Sequence, residues 1–263
     1  MIRVQDLHKQ FDGIEVLRGI DLQIENGEIV ALVGRSGCGK SVLLKHITGL
    51  IKPNHGRVFI DGHDIGQLKG KDLLELRQRL GVLFQNGALF DSMTIFENVA
   101  FPLQEKTQLS DHEIRERVFR VLEQVRLVGS EEKYPSQISG GMVKRTSLAR
   151  ALVEEPEIML FDEPTTGLDP VTKGTIISLI SECHEKARFS AVIVTHEVFR
   201  VFPIIDRVAM LQEGKISFYG TPEEMLQSKQ NDVATSVEAS FQGGPEEMRG
   251  TPGRPKPQGL QEG

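Results

Sequence analysis

The segment that decides the fold prediction is Ile29-Val30-Ala31-Leu32-Val33-Gly34-Arg35-Ser36-Gly37-Cys38-Gly39-Lys40-Ser41. Its first part is a continuous apolar run, which is typical of a strand buried on both faces of a mainly parallel sheet. Its second part fits the pattern G-x-x-x-x-G-K-[ST], and apolar residues at helical spacing follow from Val42 to Ile51. A strand, a glycine-rich loop and a helix in this order predict a loop that binds phosphate groups through backbone N–H groups and the helix N-terminus.

Two side chains at the end of this loop suit a nucleoside triphosphate. We expect Lys40 to reach the β- and γ-phosphates and the Ser41 hydroxyl to hold Mg²⁺. A flexible glycine-rich turn between a strand and a helix is the alternative interpretation. The remaining loop residues are predicted to surround the phosphates: Gly34, Arg35, Ser36, Gly37, Cys38 and Gly39.

A second motif places two carboxylates after an apolar strand. Asp162 and Glu163 follow the run Ile158-Met159-Leu160-Phe161, and ligands bind at the carboxyl ends of strands in open α/β sheets. We expect Asp162 to contact Mg²⁺ through its coordination shell and Glu163 to orient and deprotonate a water molecule. A solvated acidic turn is the alternative.

A third motif indicates a second anion site in the same chain. Ser139, Gly140 and Gly141 precede a helix that runs through Leu152, so their N–H groups lie at a helix start. Both anion sites can bind one γ-phosphate only if two subunits meet head to tail.

The order of these motifs resembles the nucleotide-binding domain of an ABC transporter, over about residues 2 to 226. The resemblance implies an α/β fold of the P-loop NTPase, ABC type, with a mainly parallel core sheet, an antiparallel β-subdomain and a helical subdomain inserted at about residues 87 to 153. It also implies an ATPase that uses ATP and Mg²⁺ and forms a homodimer. The motifs that carry it are the phosphate loop, Gln85, Ser139-Gly140-Gly141, Asp162-Glu163-Pro164, Gly167-Leu168-Asp169 and His196.

The resemblance also implies roles for individual residues. Phe11, where the family prefers Tyr, is expected to stack on the adenine, and a Phe that simply belongs to the core is the alternative. Gln85 is expected to sense Mg²⁺ and the attacking water, and His196 to contact the γ-phosphate. Asp169 matches the loop that passes between the two subunits, although an ordinary turn before Pro170 would look the same.

One branch of the family is indicated by two further stretches. Residues 84–94 and 96–103 resemble the ATPases of Mla and Mce lipid-transport systems, and so does Met142, where the family commonly has Gln. The resemblance implies a membrane permease that docks near residues 85–103, together with an MCE-type lipid-binding partner. The alternatives are an importer for a small solute such as an amino acid or ion, and a non-transport ABC ATPase that clamps a macromolecule. For Phe90, Phe96 and Phe101, simple core positions are the alternative.

Composition narrows the choice of partners and location. The 263 residues carry a formal charge of −6 with a pI near 5.7, which gives no electrostatic footprint for nucleic acid. The N-terminus lacks the features of a secretory signal, which predicts a cytoplasmic protein. The resemblance then implies a peripheral position on the cytoplasmic face of the inner (plasma) membrane. Two cysteines, Cys38 and Cys183, are expected to be free thiols.

The remaining patterns predict local structure. Antiparallel strands are expected over residues 1–30, and a capping box at Ser110 predicts a helix to Val125 within a mostly helical stretch from about 87 to 140. Further elements are expected as a helix at 171–186, a strand at 191–194, a hairpin at 208–219 and a short helix after Thr221. We predict an ATPase domain over residues 1–239 and a disordered tail over 240–263, where Gly and Pro are frequent.

Overall fold

The structure is a computed structural model that describes residues 1–228. The strands of this part of the chain are β1 (Ile2–Phe11), β2 (Ile14–Ile24), β3 (Ile29–Val33), β4 (His55–Ile60), β5 (His63–Asp64), β6 (Leu80–Leu83), β7 (Ile158–Asp162), β8 (Ser190–Thr195), β9 (Arg207–Gln212) and β10 (Lys215–Gly220). The helices are α1 (Lys40–Ile47), α2 (Gly70–Gln78), α3 (Ile95–Lys106), α4 (Asp111–Gln124), α5 (Gly140–Leu152), α6 (Pro170–Ala187), α7 (Val198–Val201) and α8 (Pro222–Gln227).

A six-stranded sheet forms the centre of the fold. Its order is β10-β9-β3-β8-β7-β6, and every neighbouring pair is parallel except the β9–β10 hairpin. All residues of β3 are buried; Ile29, Ala31 and Val33 pack into one apolar cluster, and Val30 and Leu32 pack into another. The apolar run therefore covers both faces of the sheet, which confirms the predicted buried strand.

A separate four-stranded sheet, in the order β2-β1-β4-β5, is antiparallel throughout. Strands β1 and β2 meet at Asp12 and Gly13, whose φ angles of 49° and 80° fit the tight hairpin turn that the sequence predicts. The mainly parallel core sheet and the antiparallel subdomain were both expected, and both are present.

Helices α3, α4 and α5 lie between β6 and β7 in the chain and pack on one another. Capping boxes begin the first two: the side chain of Thr94 accepts from the Glu97 N–H, and that of Ser110 accepts from the Glu113 N–H. The apolar face predicted for α4 is buried at Ile114, Val118, Val121, Leu122 and Val125. This agrees with the predicted helical insert.

Several elements differ from the expectation or were not anticipated. Helix α1 ends at Ile47, although the apolar spacing continues to Ile51, because Gly49 adopts a φ of 65° and its N–H bonds to the His46 carbonyl. Leu50 is consequently exposed. Strands β4, β5 and β6 and helix α2 were not predicted from the sequence.

The predicted tail from residue 240 lies outside the described residues, as does the end of the predicted ATPase domain. Within residues 1–228, no helix has both the length and the apolar character that crossing a bilayer requires.

Candidate nucleotide-binding and catalytic site

The ends of three parallel strands bring the candidate residues together. In the sheet register Val33 of β3 pairs with Thr195 of β8, and Val194 of β8 pairs with Asp162 of β7. The phosphate loop, the Asp162–Glu163 pair and His196 each follow one of these strands. The structure therefore gathers them at one edge of the sheet, where ligands bind in such folds.

The phosphate loop wraps around the side chain of Lys40. Lys40 Nζ donates to the carbonyls of Gly34 at 2.7 Å and Arg35 at 3.1 Å, and the side chain is almost fully buried. Gly39 precedes α1 with a φ of 108°, and a Cβ atom there would lie 2.9 Å from Leu17. A larger residue at this position would clash, so glycine is needed to turn the loop into the helix.

Ser41 and Asp162 form the candidate metal position. Ser41 Oγ donates to Asp162 Oδ1 at 3.2 Å, across 121 residues of sequence. Burial raises the pKa of Asp162, and the hydrogen bond from Ser41 partly opposes that rise. A hydroxyl and a carboxylate side by side are hard oxygen ligands, a donor set that Mg²⁺ accepts together with water and phosphate oxygens.

Glu163 is held in an uncommon backbone conformation next to His196. Its φ is 50°, a region that non-glycine residues rarely occupy and that is enriched at functional sites. Glu163 Oε2 accepts hydrogen bonds from His196 Nδ1 at 2.9 Å and from Thr166 Oγ1 at 3.0 Å. The Glu163 side chain is 13% exposed and that of His196 is 51% exposed, so a partly shielded carboxylate faces a solvent-accessible ring.

Lys144 is a site residue that the sequence reasoning missed. From α5, its Nζ donates to the carbonyl of Gln85 and to that of Glu163 at 3.4 Å. Burial lowers the pKa of Lys144, while the charges of Asp162 and Glu163 oppose this change. One lysine thus connects the segment at Gln85 with the carboxylate motif; in the sequence it looks like an ordinary helix-surface lysine.

Gln85 itself is exposed and lies just beyond β6, and the segment that follows it is held by two helices. From α5, Ser147 Oγ and Arg150 Nη2 each donate to the Gly87 carbonyl at 2.9 Å. From α3, the buried side chain of Asn98 bonds to both the N–H and the carbonyl of Phe90. The segment therefore has a defined shape although most of it faces solvent.

The three phenylalanines of this region differ in their environments. Phe96 packs against the core, as the structural alternative proposed. Phe90 is 43% exposed and lies 4.9 Å, centroid to centroid, from the partly buried Phe101. A core position is therefore wrong for Phe90.

The segment that was predicted to form a second anion site begins a helix, as the sequence indicates. Ser139 is the N-cap of α5, where its side chain accepts from the Met142 N–H at 3.3 Å, and both Ser139 and Gly140 are exposed. A Cβ atom at Gly141 would lie 2.5 Å from Thr172 of α6, so α5 and α6 approach closely there.

Two further residues were assigned by resemblance. Asp169 is exposed and caps α6, where its Oδ1 accepts the N–H groups of Val171 at 3.1 Å and Thr172 at 3.0 Å. Phe11 is 43% exposed at the end of β1, with Lys9 Nζ 4.9 Å from its ring centroid. The core alternative for Phe11 is therefore wrong, because its side chain is partly open to solvent.

The family comparison agrees with this geometry. The model of the family described as "ABC transporter" matches residues 17–166, which is more than half of the chain and contains the phosphate loop and both carboxylates. The chain belongs to the ABC transporter family. As an ABC transporter protein it is an ATPase and binds ATP.

Relatives within the ABC transporter family include proteins named for the transport of different cargoes. The chain is 39% identical over 243 residues to the intermembrane phospholipid transport system ATP-binding protein MlaF of Haemophilus influenzae, and the match covers 92% of each chain. It is 43% identical over 219 residues to the methionine import ATP-binding protein MetN of Carboxydothermus hydrogenoformans, covering 82% of this chain and 65% of that one. The predicted resemblance to Mla-type ATPases is confirmed.

A solved ABC structure confirms the fold. The chain superposes with a TM-score of 0.77 and 32% identity on the ATP-binding cassette MJ0796, in a dimeric post-hydrolysis state bound to ADP and Pi; the match covers 84% of this chain and 98% of that one. The predicted P-loop NTPase fold of ABC type is therefore correct.

Proposed function

We propose that this chain is the ATP-hydrolysing motor subunit of a transporter that moves phospholipid or a related lipid. The observation that supports this most is the similarity to MlaF, which extends over 92% of both chains and is not confined to the nucleotide site. The segment after Gln85, whose sequence first indicated the lipid-transport branch, has a shape set by α3 and α5.

In the proposed chemistry, Glu163 is the general base for the water that attacks the γ-phosphate. His196 and Thr166 hold its Oε2, which keeps the carboxylate oriented, and His196 has an exposed ring that can reach the γ-phosphate. Lys40 exchanges its two loop carbonyls for phosphate oxygens and offsets their developing charge. Ser41 and Asp162 would hold Mg²⁺, Gln85 is assigned to sense it, and the ion would neutralise phosphate charge when it is bound.

We further propose that two copies of the chain share each ATP. The N–H groups at the start of α5, with Ser139, Gly140 and Gly141, would bind the γ-phosphate of the ATP held by the other copy. Asp169, exposed at the start of the neighbouring helix α6, would lie in the contact between the copies. Binding that is tighter in the closed pair than in the open pair is what allows ATP to drive closure.

The path from this closure to a permease would run through Lys144. It contacts the carbonyls of Gln85 and Glu163, so a shift of the catalytic carboxylate on binding ATP is passed to the segment that begins at Gln85. We assign the permease contact to residues 85–103, with the exposed face of Phe90 in it. A lipid-binding protein of the MCE type would be a further partner, and the chain would lie peripherally on the cytoplasmic face of the inner membrane.

A second candidate function is the ATPase of a small-solute importer. The 43% identity to MetN supports it, because that relative is named for methionine import and its sequence matches 82% of this chain. The nucleotide chemistry would be the same in both cases, so only the partner and the cargo distinguish them.

The test is affinity purification of the chain from membranes in mild detergent, followed by mass spectrometry of the proteins and lipids that accompany it. The lipid proposal predicts a permease, an MCE-type protein and phospholipid in a fixed ratio to the complex. As a control, a Glu163→Gln variant would be purified in the same way in the presence of ATP, and it should retain the same partners as the unchanged chain. A permease accompanied by a solute-binding protein, without retained lipid, would replace the lipid proposal with the importer.

A further inference from the structure

Glu197 is a half-buried carboxylate directly after His196, and the chemistry proposed above gives it no role. Its side chain is 25% exposed, and the residue lies at the start of the short helix α7. A glutamate in this position could cap the helix, but the side chain of Glu197 makes no capping hydrogen bond. Its backbone N–H donates to Thr195 Oγ1 at 2.9 Å, at the end of β8. The carboxylate is therefore free to contact other segments of the site.

The partners of the Glu197 carboxylate lie on two such segments. Lys173 Nζ, near the start of α6, donates to Oε1 in a close ion pair. Thr165 Oγ1, in the loop after β7, donates to Oε2 at 3.2 Å. The side chain of Lys173 is 17% exposed, and Thr165 is almost fully buried. Solvent screens an ion pair with this burial less than a surface pair, so its geometry should be well defined.

A second cation lies near the same carboxylate. Arg200 Nε is 3.8 Å from Glu197 Oε2, which is too long for a hydrogen bond. Within residues 1–228, this buried nitrogen has no hydrogen-bond partner. Burial raises the pKa of Glu197, but the hydrogen bond and charge of Lys173 and the charge of Arg200 lower it more, so the pKa lies below its ordinary value. Glu197 is therefore an anion at neutral pH.

Two pairs of adjacent residues connect Glu197 to the proposed base. Thr165 donates to Glu197, and its neighbour Thr166 donates to Glu163. On the other side, His196 donates to Glu163 and is joined to Glu197 by one peptide bond. These bonds form a closed ring of contacts between the loop after β7 and the segment after β8. A displacement of Glu197 would therefore move the His196 ring relative to Glu163.

We propose that Glu197 is a positioning residue for ATP hydrolysis, and that its ion pair with Lys173 keeps the His196 ring in contact with Glu163. This inference rests on the roles proposed above for Glu163 and His196. The ion pair has no contact with the phosphate loop, so its loss should leave the binding of ATP unchanged. A shift of about 1 Å in a reacting group can cost on the order of a hundredfold in rate. We therefore expect the loss of the pair to lower kcat and to spare KM.

Steady-state phosphate release by the purified complex separates kcat from KM for ATP. Glu197→Gln removes the negative charge at nearly constant shape, and Lys173→Met removes the cation. Each change should lower kcat about tenfold and leave KM within about twofold. Lys173→Arg retains the ion pair, and its kcat should stay within about threefold of that of the unchanged protein. Glu185→Gln, at an exposed glutamate on the same helix α6, is the matched control.

A double variant shows whether Glu197 and Lys173 act as a pair. Both changes remove the same ion pair, so Glu197→Gln combined with Lys173→Met should lower kcat no further than either change alone. The two residues lie on different segments. If Glu197→Gln does not fold, the comparison of Lys173→Met with Lys173→Arg still contrasts loss of the ion pair with its retention.

The positioning role is overturned if Glu197→Gln and Lys173→Met keep kcat within about threefold, or if they raise KM and leave kcat unchanged. It is also overturned if Lys173→Arg loses as much activity as Lys173→Met, or if the two losses multiply in the double variant. Glu163→Gln, measured in parallel, distinguishes this failure from failure of the proposed chemistry. Unchanged turnover in Glu163→Gln would overturn the assignment of the base, whereas a large loss there with full activity in Glu197→Gln would overturn the positioning role alone.

Discussion

Replacing Glu163 by Gln removes the proposed proton acceptor but keeps most of the contacts of its side chain. The carboxylate accepts two hydrogen bonds through Oε2, from His196 and Thr166. Glutamine has the same length and one carbonyl oxygen, so it retains at least one of these bonds. The cost in folding free energy should be that of about one hydrogen bond, roughly 0.5–1.5 kcal/mol, and ATP should still bind.

The effect on turnover should be much larger, because an amide cannot take the proton of the attacking water. Loss of a general base costs on the order of a hundredfold or more, which at the lower limit equals about 2.7 kcal/mol in the activation barrier. The assay is steady-state phosphate release by the purified complex, with ATP affinity measured calorimetrically on the same samples. Glu132→Gln, at an exposed glutamate outside the site, is the matched control. Turnover of Glu163→Gln within threefold of the unchanged protein would refute the assignment of the base.

Three further predictions concern positions around the site. Asn98→Ala removes the acceptor of the Phe90 N–H and an amino group whose two hydrogens are shared among the carbonyls of Phe90, Met93 and Thr94, and it should lower the unfolding free energy in urea by about 2–4 kcal/mol. Asn86→Ala, at an exposed position, should not lower it, and equal midpoints for the two variants would contradict the argument. Lys144→Met should slow ATP turnover on the order of tenfold with little change in ATP affinity, because a charged donor to two loop carbonyls is lost; unchanged turnover would exclude the proposed connection. A bulky maleimide on Cys38 should block ATP binding because it would occupy the phosphate loop, and ATP binding by protein that mass spectrometry shows to be fully labelled would show this to be wrong.

Much of the fold could be predicted because the local sequence pattern of several segments matches the element that each segment forms. The apolar run before Gly34 is typical of a strand buried on both faces, and Ser110 with Glu113 begins a helix whose apolar residues recur on one face. In contrast, β6 is a four-residue edge strand, and its pairing with β7 depends on chain segments far apart in sequence. Tertiary packing, which a local pattern does not report, decides such elements.

The candidate site also contains some residues that the sequence predicts and others that it does not. Lys40, Ser41 and Asp162 lie in motifs whose spacing follows from phosphate and metal chemistry, and the structure brings Ser41 and Asp162 into contact. Lys144 could not be found in this way, because its role depends on two backbone carbonyls that carry no sequence signal. The close approach of His196 to Glu163 likewise required the neighbouring ends of β7 and β8.

The sharing of each ATP by two copies of the chain is the central claim of this account, and complementation tests it most directly. Lys40→Ala damages the phosphate loop and Ser139→Arg damages the second anion site, so neither variant alone should close on ATP. If the sites are shared head to tail, a mixed pair contains one intact composite site. Light scattering and fluorescence transfer between labelled subunits should then show ATP-dependent association only when the two variants are mixed. Association of either variant alone, or none in the mixture while the unchanged protein associates, would contradict the claim.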